Sequence, residues 1–196
     1  MKLIIGLTGY PLCGKGVAGG TIETLLKKDG YSVSRHRFSD ILRDTLDIWG
    51  VPHGRDNEQR LAQLMDRLEK GTLSHAIKNR LAKDRADVGI LDGVRWFSDE
   101  AMLRTFNQDG VKSIIVYVVA EESVRYERML KRNRAGEAAT GLEEFKRQGS
   151  AENESFIPEI GKRADVTLTN NYKKMEDLEK DIETAYRSSI RPLLDA

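Results

Sequence analysis

The sequence predicts a three-layer α/β/α sandwich built on a five-stranded parallel sheet. Short apolar runs alternate with helical patterns along the whole chain, which is typical of a parallel sheet with helices on both faces. The first run leads through a glycine-rich loop directly into a helical pattern. With 196 residues, the chain is long enough for one hydrophobic core and shorter than the length at which cores usually divide. We therefore expect a single core over residues 1–196.

Five apolar runs are the predicted strands, at residues 3–8, 31–38, 88–91, 113–119 and 164–169. The fourth run, Ser-Ile-Ile-Val-Tyr-Val-Val, is the most apolar of them. Strands that are buried on both faces read as continuous hydrophobic runs. We therefore expect this fourth strand to lie at the centre of the sheet.

Helical patterns fill the intervals between these strands. Ser39 or Asp40 is expected to cap a helix that ends at Trp49, and Ser98 to cap one that ends near Asn107. Further helices are predicted over residues 15–28, over 55–83 in two polar stretches that meet at Gly71, over 121–133 and over 175–185.

Two segments extend the alternating pattern. Residues 39–83 form a predicted helical insertion after the second strand. Residues 134–156 contain three glycines and the weakest signal for regular structure, and we expect them to form a second, smaller insertion.

The composition restricts the partners and the compartment. The net charge is +1, so the overall charge favours neither a nucleic acid nor a membrane as partner. A single cysteine excludes a disulfide framework and fits a reducing compartment. Met1 and Lys2 run directly into a strand without a signal peptide. We expect a cytoplasmic protein, either a monomer or a homodimer.

The loop after the first strand carries the strongest functional signal. It reads Gly-Tyr-Pro-Leu-Cys-Gly-Lys-Gly over residues 9–16, and we call it the phosphate loop. A G-x-x-x-x-G-K string between a strand and a helix wraps a phosphate chain in backbone N–H groups. The same string can arise by chance in a turn, but the strand and the helix around it favour a true phosphate site. The residues expected to bind ATP here are Gly9, Pro11, Leu12, Cys13, Gly14, Lys15, Gly16 and Val17.

The phosphate loop departs from the usual pattern at its end. Gly16 follows the lysine where a Ser or Thr hydroxyl ordinarily helps to hold Mg²⁺, and Val17 supplies no replacement. Water can occupy such a position, because Mg²⁺ usually keeps several waters. We estimate that the missing ligand costs about 1–3 kcal/mol of site stability.

Several motifs together resemble the nucleoside monophosphate kinases among the P-loop phosphotransferases. Adenylate kinases share the Gly-Lys-Gly ending and a proline at the position of Pro11. The stretch Phe38-Ser39-Asp40-Ile41-Leu42-Arg43 and the stretch Asp92-Gly93-Val94-Arg95 resemble a subgroup of kinase-like ATPases. Ala164-Asp165 with Asn170, and Arg147-Gln148, are similar to dephospho-coenzyme A kinases. The resemblance implies ATP and Mg²⁺ as cofactors and a small phosphorylated acceptor.

The resemblance also implies that the insertion at residues 39–83 binds the acceptor, and it gives roles to single residues on this side. Asp40 would orient or deprotonate the acceptor, although it could equally be only a helix cap. Arg43, Arg55 and Arg95 would bind the acceptor's phosphate, because guanidinium groups bind phosphate in a bidentate manner. Asp92 would hold Mg²⁺ through water, with an ordinary strand-end turn as the alternative.

The resemblance further implies that residues 134–156 form a lid over the phosphates, and it gives roles to residues on that side. Lys15 would hold the transferred phosphoryl group, while Arg128 and Arg132 would close over it. A basic helix end that complements the helix dipole explains some of these arginines equally well. Asn170 would lie against the adenine, and Arg134 and Arg147 are weaker candidates for the lid.

The most favoured function is therefore a kinase for a (deoxy)nucleoside monophosphate. A dephospho-coenzyme A kinase-like activity and a regulatory module that binds nucleotide without turnover remain open. An ATPase acting on nucleic acid is disfavoured by the neutral net charge.

Overall fold

Five parallel strands form one sheet in the order β2-β3-β1-β4-β5 in the computed structural model. The structure describes residues 1–107, 110–132, 141–149, 154–172 and 174–195, without the side chains of Arg55 and Gln148. The strands are β1 (Leu3–Thr8), β2 (Val33–Arg37), β3 (Val88–Val94), β4 (Lys112–Val119) and β5 (Val166–Thr169). The predicted five-stranded parallel sheet is confirmed.

Helices cover both faces of this sheet and form the segment between β2 and β3. They are α1 (Lys15–Lys28), α2 (Phe38–Trp49), α3 (Arg55–Leu68), α4 (Thr72–Ala82), α5 (Phe97–Thr105), α6 (Glu122–Arg132), α7 (Leu142–Gly149), α8 (Ile157–Lys162), α9 (Met175–Ala185) and α10 (Pro192–Asp195). A π-helical turn, Tyr186–Ile190, joins α9 to α10.

The core has two layers because alternate residues of β1 point to opposite faces of the sheet. Leu3, Ile5 and Leu7 join the cluster formed with α1 and α9. Ile4 joins the cluster on the other face, formed with α4 and α5. Burial on both faces explains the continuous apolar sequence of β1.

The central strand is β1, and the prediction that 113–119 lies at the centre was wrong. β4 pairs with β1 on one side and with the four-residue β5 on the other. Its strongly apolar sequence reflects burial on both faces, which a strand beside the centre shares. Hydrophobicity therefore identifies an interior strand without giving its rank in the sheet.

Two helices begin earlier than predicted. α2 begins at Phe38 with Arg37 as the cap, so neither Ser39 nor Asp40 caps it. α5 begins at Phe97, not after Ser98. Phe38 is buried, and apolar packing draws it into the helix ahead of the polar residues.

Residues 38–82 hold three helices with a small core of their own. Leu42 and Leu46 of α2 pack against Leu61 and Ala62 of α3. Gly71, with φ of 80°, separates α3 from α4 at the predicted position. α3 packs mainly against α2 and α4, so it stands away from the sheet.

The region predicted to be weakest in regular structure contains a helix. Within 134–156, α7 forms an eight-residue helix, while residues 134–140 and 150–153 lie outside the described residues. Among the helices that the structure describes, none combines the length and the apolar character needed to span a membrane.

Candidate active site

The shape of the phosphate loop depends on two glycines in left-handed conformations. Gly9 has φ of 141°, and a Cβ atom there would lie 2.2 Å from the carbonyl oxygen of Val118. Gly14 has φ of 107°, and a Cβ atom there would lie 2.3 Å from Nδ2 of Asn170. A side chain at either position would force the loop away from β4 or β5.

The first turn of α1 leaves its N–H groups available for an anion. Gly14 is the cap residue, no described side chain bonds to the cap, and the first turn contains no acidic residue. The Lys15 ammonium lies within the loop, bonded to the carbonyl oxygens of Gly9 and Tyr10. Unpaired amides, a positive dipole end and a lysine together suit a phosphate chain.

A cavity of about 780 Å³ adjoins the phosphate loop. Pro11 of the loop lines it, together with the carboxyl ends of β2 and β3 and the inner faces of α2 and α3. Carboxyl ends of parallel strands are where open α/β sheets bind their ligands. The volume falls within the ordinary range for a small-molecule site.

Three of the predicted acceptor and lid arginines line this cavity, although they are distant in sequence. They are Arg43, Arg95 and Arg132. Nε of Arg43 donates to Oε1 of Glu58 at 2.9 Å, and this bond raises the pKa of Arg43. Nη1 of Arg95 lies 3.7 Å from Oε1 of Glu154.

The cavity includes a fourth arginine that the sequence analysis missed. Arg37 ends β2, lines the cavity, and is half exposed. Its position at the carboxyl end of a strand was the available signal. The alternating pattern of β2 predicts a strand but gives no role to Arg37, the residue that ends it.

The remaining predicted acceptor residues are placed differently. Asp40 is not among the residues that line the cavity, and its Oδ1 lies 4.0 Å from Nη1 of Arg43. Arg55 begins α3, but its side chain lies outside the described part of the chain. Of the Phe38–Arg43 stretch, the residues that line the cavity are therefore Phe38, Ser39, Leu42 and Arg43, but not Asp40.

Asp92 lies inside β3, because the strand continues to Val94 past a shift in register opposite Leu7 and Thr8. Its side chain is 17% exposed, with Nε of Arg37 at 3.7 Å and Nη2 of Arg35 at 3.9 Å. No hydrogen bond to its carboxylate is formed within the described ranges. The carboxylate thus lines the cavity with its Oδ2 beside two guanidinium groups.

Asp99 organises the back of the cavity and was missed by the sequence analysis. Its carboxylate accepts the N–H groups of Arg95 and Trp96 at 3.0 Å each and the hydroxyl of Ser74 at 2.6 Å. Burial raises the pKa of Asp99 by more than these hydrogen bonds lower it. Asp99 thereby joins α4 to the segment that carries Arg95.

Arg128 forms hydrogen bonds to the backbone of the phosphate loop. Its guanidinium donates to the carbonyl oxygens of Leu12 at 3.2 Å and Cys13 at 3.4 Å, and to Oδ1 of Asn170 at 3.0 Å. Nδ2 of Asn170 donates to the carbonyl of Cys13 at 2.7 Å. Burial lowers the pKa of Arg128.

α7 is connected to the phosphate loop through a buried arginine. The Arg125 guanidinium lies 4.6 Å from the ring of Tyr10 and 5.5 Å from the ring of Phe145 on α7. Of the weaker lid candidates, Arg147 is exposed on α7 and bonded to Glu144, while Arg134 lies outside the described residues.

Comparison with known proteins identifies the fold. No protein-family model matches the chain. A UPF0200 protein of Hyperthermus butylicus is 28% identical over 182 residues, which is 92% of this chain and 91% of that protein. Shikimate kinase from Acinetobacter baumannii superimposes with a TM-score of 0.55 at 15% identity, covering 97% of this chain and 95% of that one.

A second solved structure gives the same result. APS kinase from Mycobacterium tuberculosis has a TM-score of 0.55 at 19% identity, covering 95% of this chain and 98% of that chain. The fold is that of the P-loop kinases. The phosphate loop is placed as this fold requires, after the first strand and at the start of α1. The resemblance seen in the sequence is therefore confirmed at the level of the fold.

Proposed function

We propose that this protein is an ATP-dependent kinase whose acceptor is a small phosphorylated molecule, most favourably a nucleoside monophosphate. One observation carries the proposal: Pro11 of the phosphate loop lines the same cavity as Arg43, Arg95 and Arg132. A triphosphate in the loop and an anionic acceptor in the cavity would therefore lie side by side. Phosphoryl transfer requires mainly this positioning and the neutralisation of negative charge.

The proposed roles follow from these positions. Lys15 and the amides of α1 hold the phosphates of ATP, and Arg37 and Arg95 hold the acceptor anion. Arg43, whose Nε is bonded to Glu58, lines the cavity that holds the rest of the acceptor. Arg132 reaches the cavity from α6 and offsets charge on the transferred group. Arg128 and Asn170 act on the loop, which they keep in its binding shape.

The side chains beside the phosphate loop include a carboxylate of the kind that binds Mg²⁺. Mg²⁺ is commonly held by one or two carboxylates with phosphates and waters completing its shell. Among the residues described, no group of three His, Cys, Asp or Glu side chains could hold a metal alone. Asp92 offers one carboxylate on the cavity wall, where its Oδ2 lies 3.7 Å from Nε of Arg37. We propose that Asp92 holds Mg²⁺ through water, and the bound ion would neutralise charge on the phosphates.

The test is acceptor-dependent release of ADP. The purified protein would be supplied with ATP, Mg²⁺ and, in turn, each nucleoside monophosphate and dephospho-coenzyme A. We expect ADP to appear faster with at least one acceptor than without any. Equal rates across the panel and the blank would contradict the proposal.

A regulatory module that binds ATP without turnover is the second candidate. Gly16 favours it, because the usual hydroxyl ligand of Mg²⁺ is missing from the loop. Tight ATP binding combined with no acceptor-dependent ADP would support this candidate over the kinase.

Replacing Gly16 by serine is expected to strengthen binding of Mg²⁺ and ATP together by about tenfold or more. A Cβ atom at Gly16 meets no heavy atom within 4 Å, so the loop has room for the added hydroxyl. Calorimetric titration with ATP, with and without Mg²⁺, measures the effect. Gly16→Ala is the control, and identical titrations for the serine and alanine variants would show that the hydroxyl gains nothing.

A further inference from the structure

We infer that α3 selects phosphoryl acceptors whose distal end carries an amino group, and that Asp66 and Gln59 are the residues that recognise it. The inference rests on the kinase function proposed above. For a nucleoside monophosphate, it favours adenine, cytosine or guanine over uracil and thymine.

One face of α3 forms the wall of the cavity farthest from the sheet. Glu58, Gln59, Ala62 and Asp66 line the cavity, and their spacing of three to four residues places them on one side of the helix. α3 packs mainly on α2 and α4 and stands away from the strands. An acceptor that reaches from the phosphate loop to this wall would present its distal end to these four residues.

The groups that remain open on this wall are a carboxylate, which only accepts hydrogen bonds, and an amide, which both accepts and donates. Oδ1 of Asp66 accepts the N–H of Gly71 at 3.3 Å, and within the described part of the chain its second oxygen takes no further bond. The side-chain amide of Gln59 is half-buried, and none of the described residues bonds to it. Asp66 thus offers an ionised acceptor, while Gln59 offers one acceptor oxygen and two N–H donors.

The cations near this wall are already engaged. Nε of Arg43 donates to Glu58 at 2.9 Å, and the ring of His53 is 2.7 Å from Oδ1 of Asp47. These pairs reduce the attraction that this part of the cavity has for an anion. The open acceptor oxygens of Asp66 and Gln59 therefore determine what the wall binds.

The opposite end of the cavity has the reverse character. Arg37 and Arg95 lie at the carboxyl ends of β2 and β3, on the side of Pro11, and Arg132 reaches the cavity from α6. Asp92 and Glu154, each 3.7 Å from one of these guanidinium groups, offset part of their charge. The cavity is therefore rich in N–H donors beside the phosphate loop and rich in hydrogen-bond acceptors at α3. This polarity orients a ligand with its anion toward the loop and its donors toward Asp66.

The chemistry of the bases then decides among monophosphates. Guanine presents two adjacent N–H donors, which match a carboxylate, while adenine and cytosine present an amino group beside a ring nitrogen, which matches an amide. Uracil and thymine present one N–H between two carbonyl oxygens, so beside the carboxylate of Asp66 at least one of these carbonyl oxygens would face an acceptor oxygen. A site built around unpaired polar groups strongly rejects a ligand that leaves them unpaired.

The experiment compares AMP, CMP and GMP with UMP and dTMP as phosphoryl acceptors for the wild-type protein. We expect the best amino-bearing acceptor to exceed both of the others by about tenfold or more in kcat/KM. Asp66→Asn should raise the KM for that acceptor about 10–100-fold, because the carboxylate is replaced by a neutral amide, and leave the KM for ATP unchanged. Asp56→Asn, an exposed acid on the same helix that does not line the cavity, is the matched control.

The outcomes separate this inference from the proposed function. If UMP or dTMP equals the best amino-bearing acceptor, or if Asp66→Asn lowers the efficiency of all five acceptors alike, the inference is overturned while the kinase function stands. If no monophosphate accelerates ADP release, the proposed kinase function fails for these acceptors. In that case calorimetry with CMP and UMP decides the inference, which requires tighter binding of CMP. Asp66 also accepts the N–H of Gly71, so the folding of the Asp66→Asn variant has to be checked. If it does not fold, Gln59→Ala is the variant to measure, and it should reduce the difference in kcat/KM between amino-bearing acceptors and UMP or dTMP.

Discussion

Lys15→Ala is expected to lower the rate of acceptor-dependent ADP release by at least about 10²–10³-fold, the typical loss when one preorganised charge-stabilising donor is removed. Within the described residues, the Lys15 ammonium is bonded only to groups of its own loop, the carbonyl oxygens of Gly9 and Tyr10 and Sγ of Cys13. The change therefore removes a charge from the phosphate site without opening the core. The rate is measured by coupling ADP release to an optical assay at saturating ATP.

The matched control for this change is Lys28→Ala. Lys28 lies at the other end of α1 and is exposed, so its removal changes the net charge equally without touching the loop. The melting temperatures of both variants should stay close to that of the wild type. A Lys15→Ala protein that retains more than about a tenth of the wild-type rate would contradict the role given to this lysine.

Gly9→Ala is expected to destabilise the fold and to weaken ATP binding at the same time. At φ of 141° an alanine is strained, which costs about 1–3 kcal/mol, and its Cβ would also lie 2.2 Å from the Val118 carbonyl oxygen. For a chain of this size each kcal/mol lowers the melting temperature by about 2–4 °C. Because the loop must move away from β4, we expect ATP affinity to fall by about tenfold or more.

Gly16→Ala serves as the comparison, since the same methyl group meets open space there. Thermal denaturation and ATP titration of both variants test the account of the loop. A Gly9→Ala protein with wild-type melting temperature and affinity would show that the close approach of the loop to β4 is not required.

The parts of the fold that depend on local signals were predicted well. Helix α1 was predicted over residues 15–28 and is observed at Lys15–Lys28, because a glycine precedes it and two lysines end it. The break between α3 and α4 at Gly71 is also a local feature, because a backbone φ of 80° is a conformation that favours glycine. Such features depend on neighbouring residues, which the sequence displays directly.

Features that depend on distant packing were predicted less well. The rank of β4 in the sheet depends on pairing with β1 and β5, which no local pattern reveals. The start of α2 at Phe38 depends on burial of that ring against the core beside β3. In both cases tertiary contacts decide between structures that the local sequence permits equally.

The candidate site shows the same division. The phosphate loop follows from spacing, and Arg43, Arg95 and Arg132 were selected by resemblance. Arg128 donates to the carbonyl of Leu12 across 116 positions of the chain, and this support of the loop could not be read from helical spacing. The role of Asp99 could not be predicted from the sequence for a similar reason, because its partner Ser74 lies on another helix.

Equilibrium binding of ATP to the intact protein tests the central claim most directly, because every proposed role depends on a triphosphate in the phosphate loop. Calorimetry in magnesium buffer should show saturable one-to-one binding for the wild type and a marked loss for Gly9→Ala. Absence of measurable binding of ATP or GTP by the folded wild-type protein would contradict the account at its foundation.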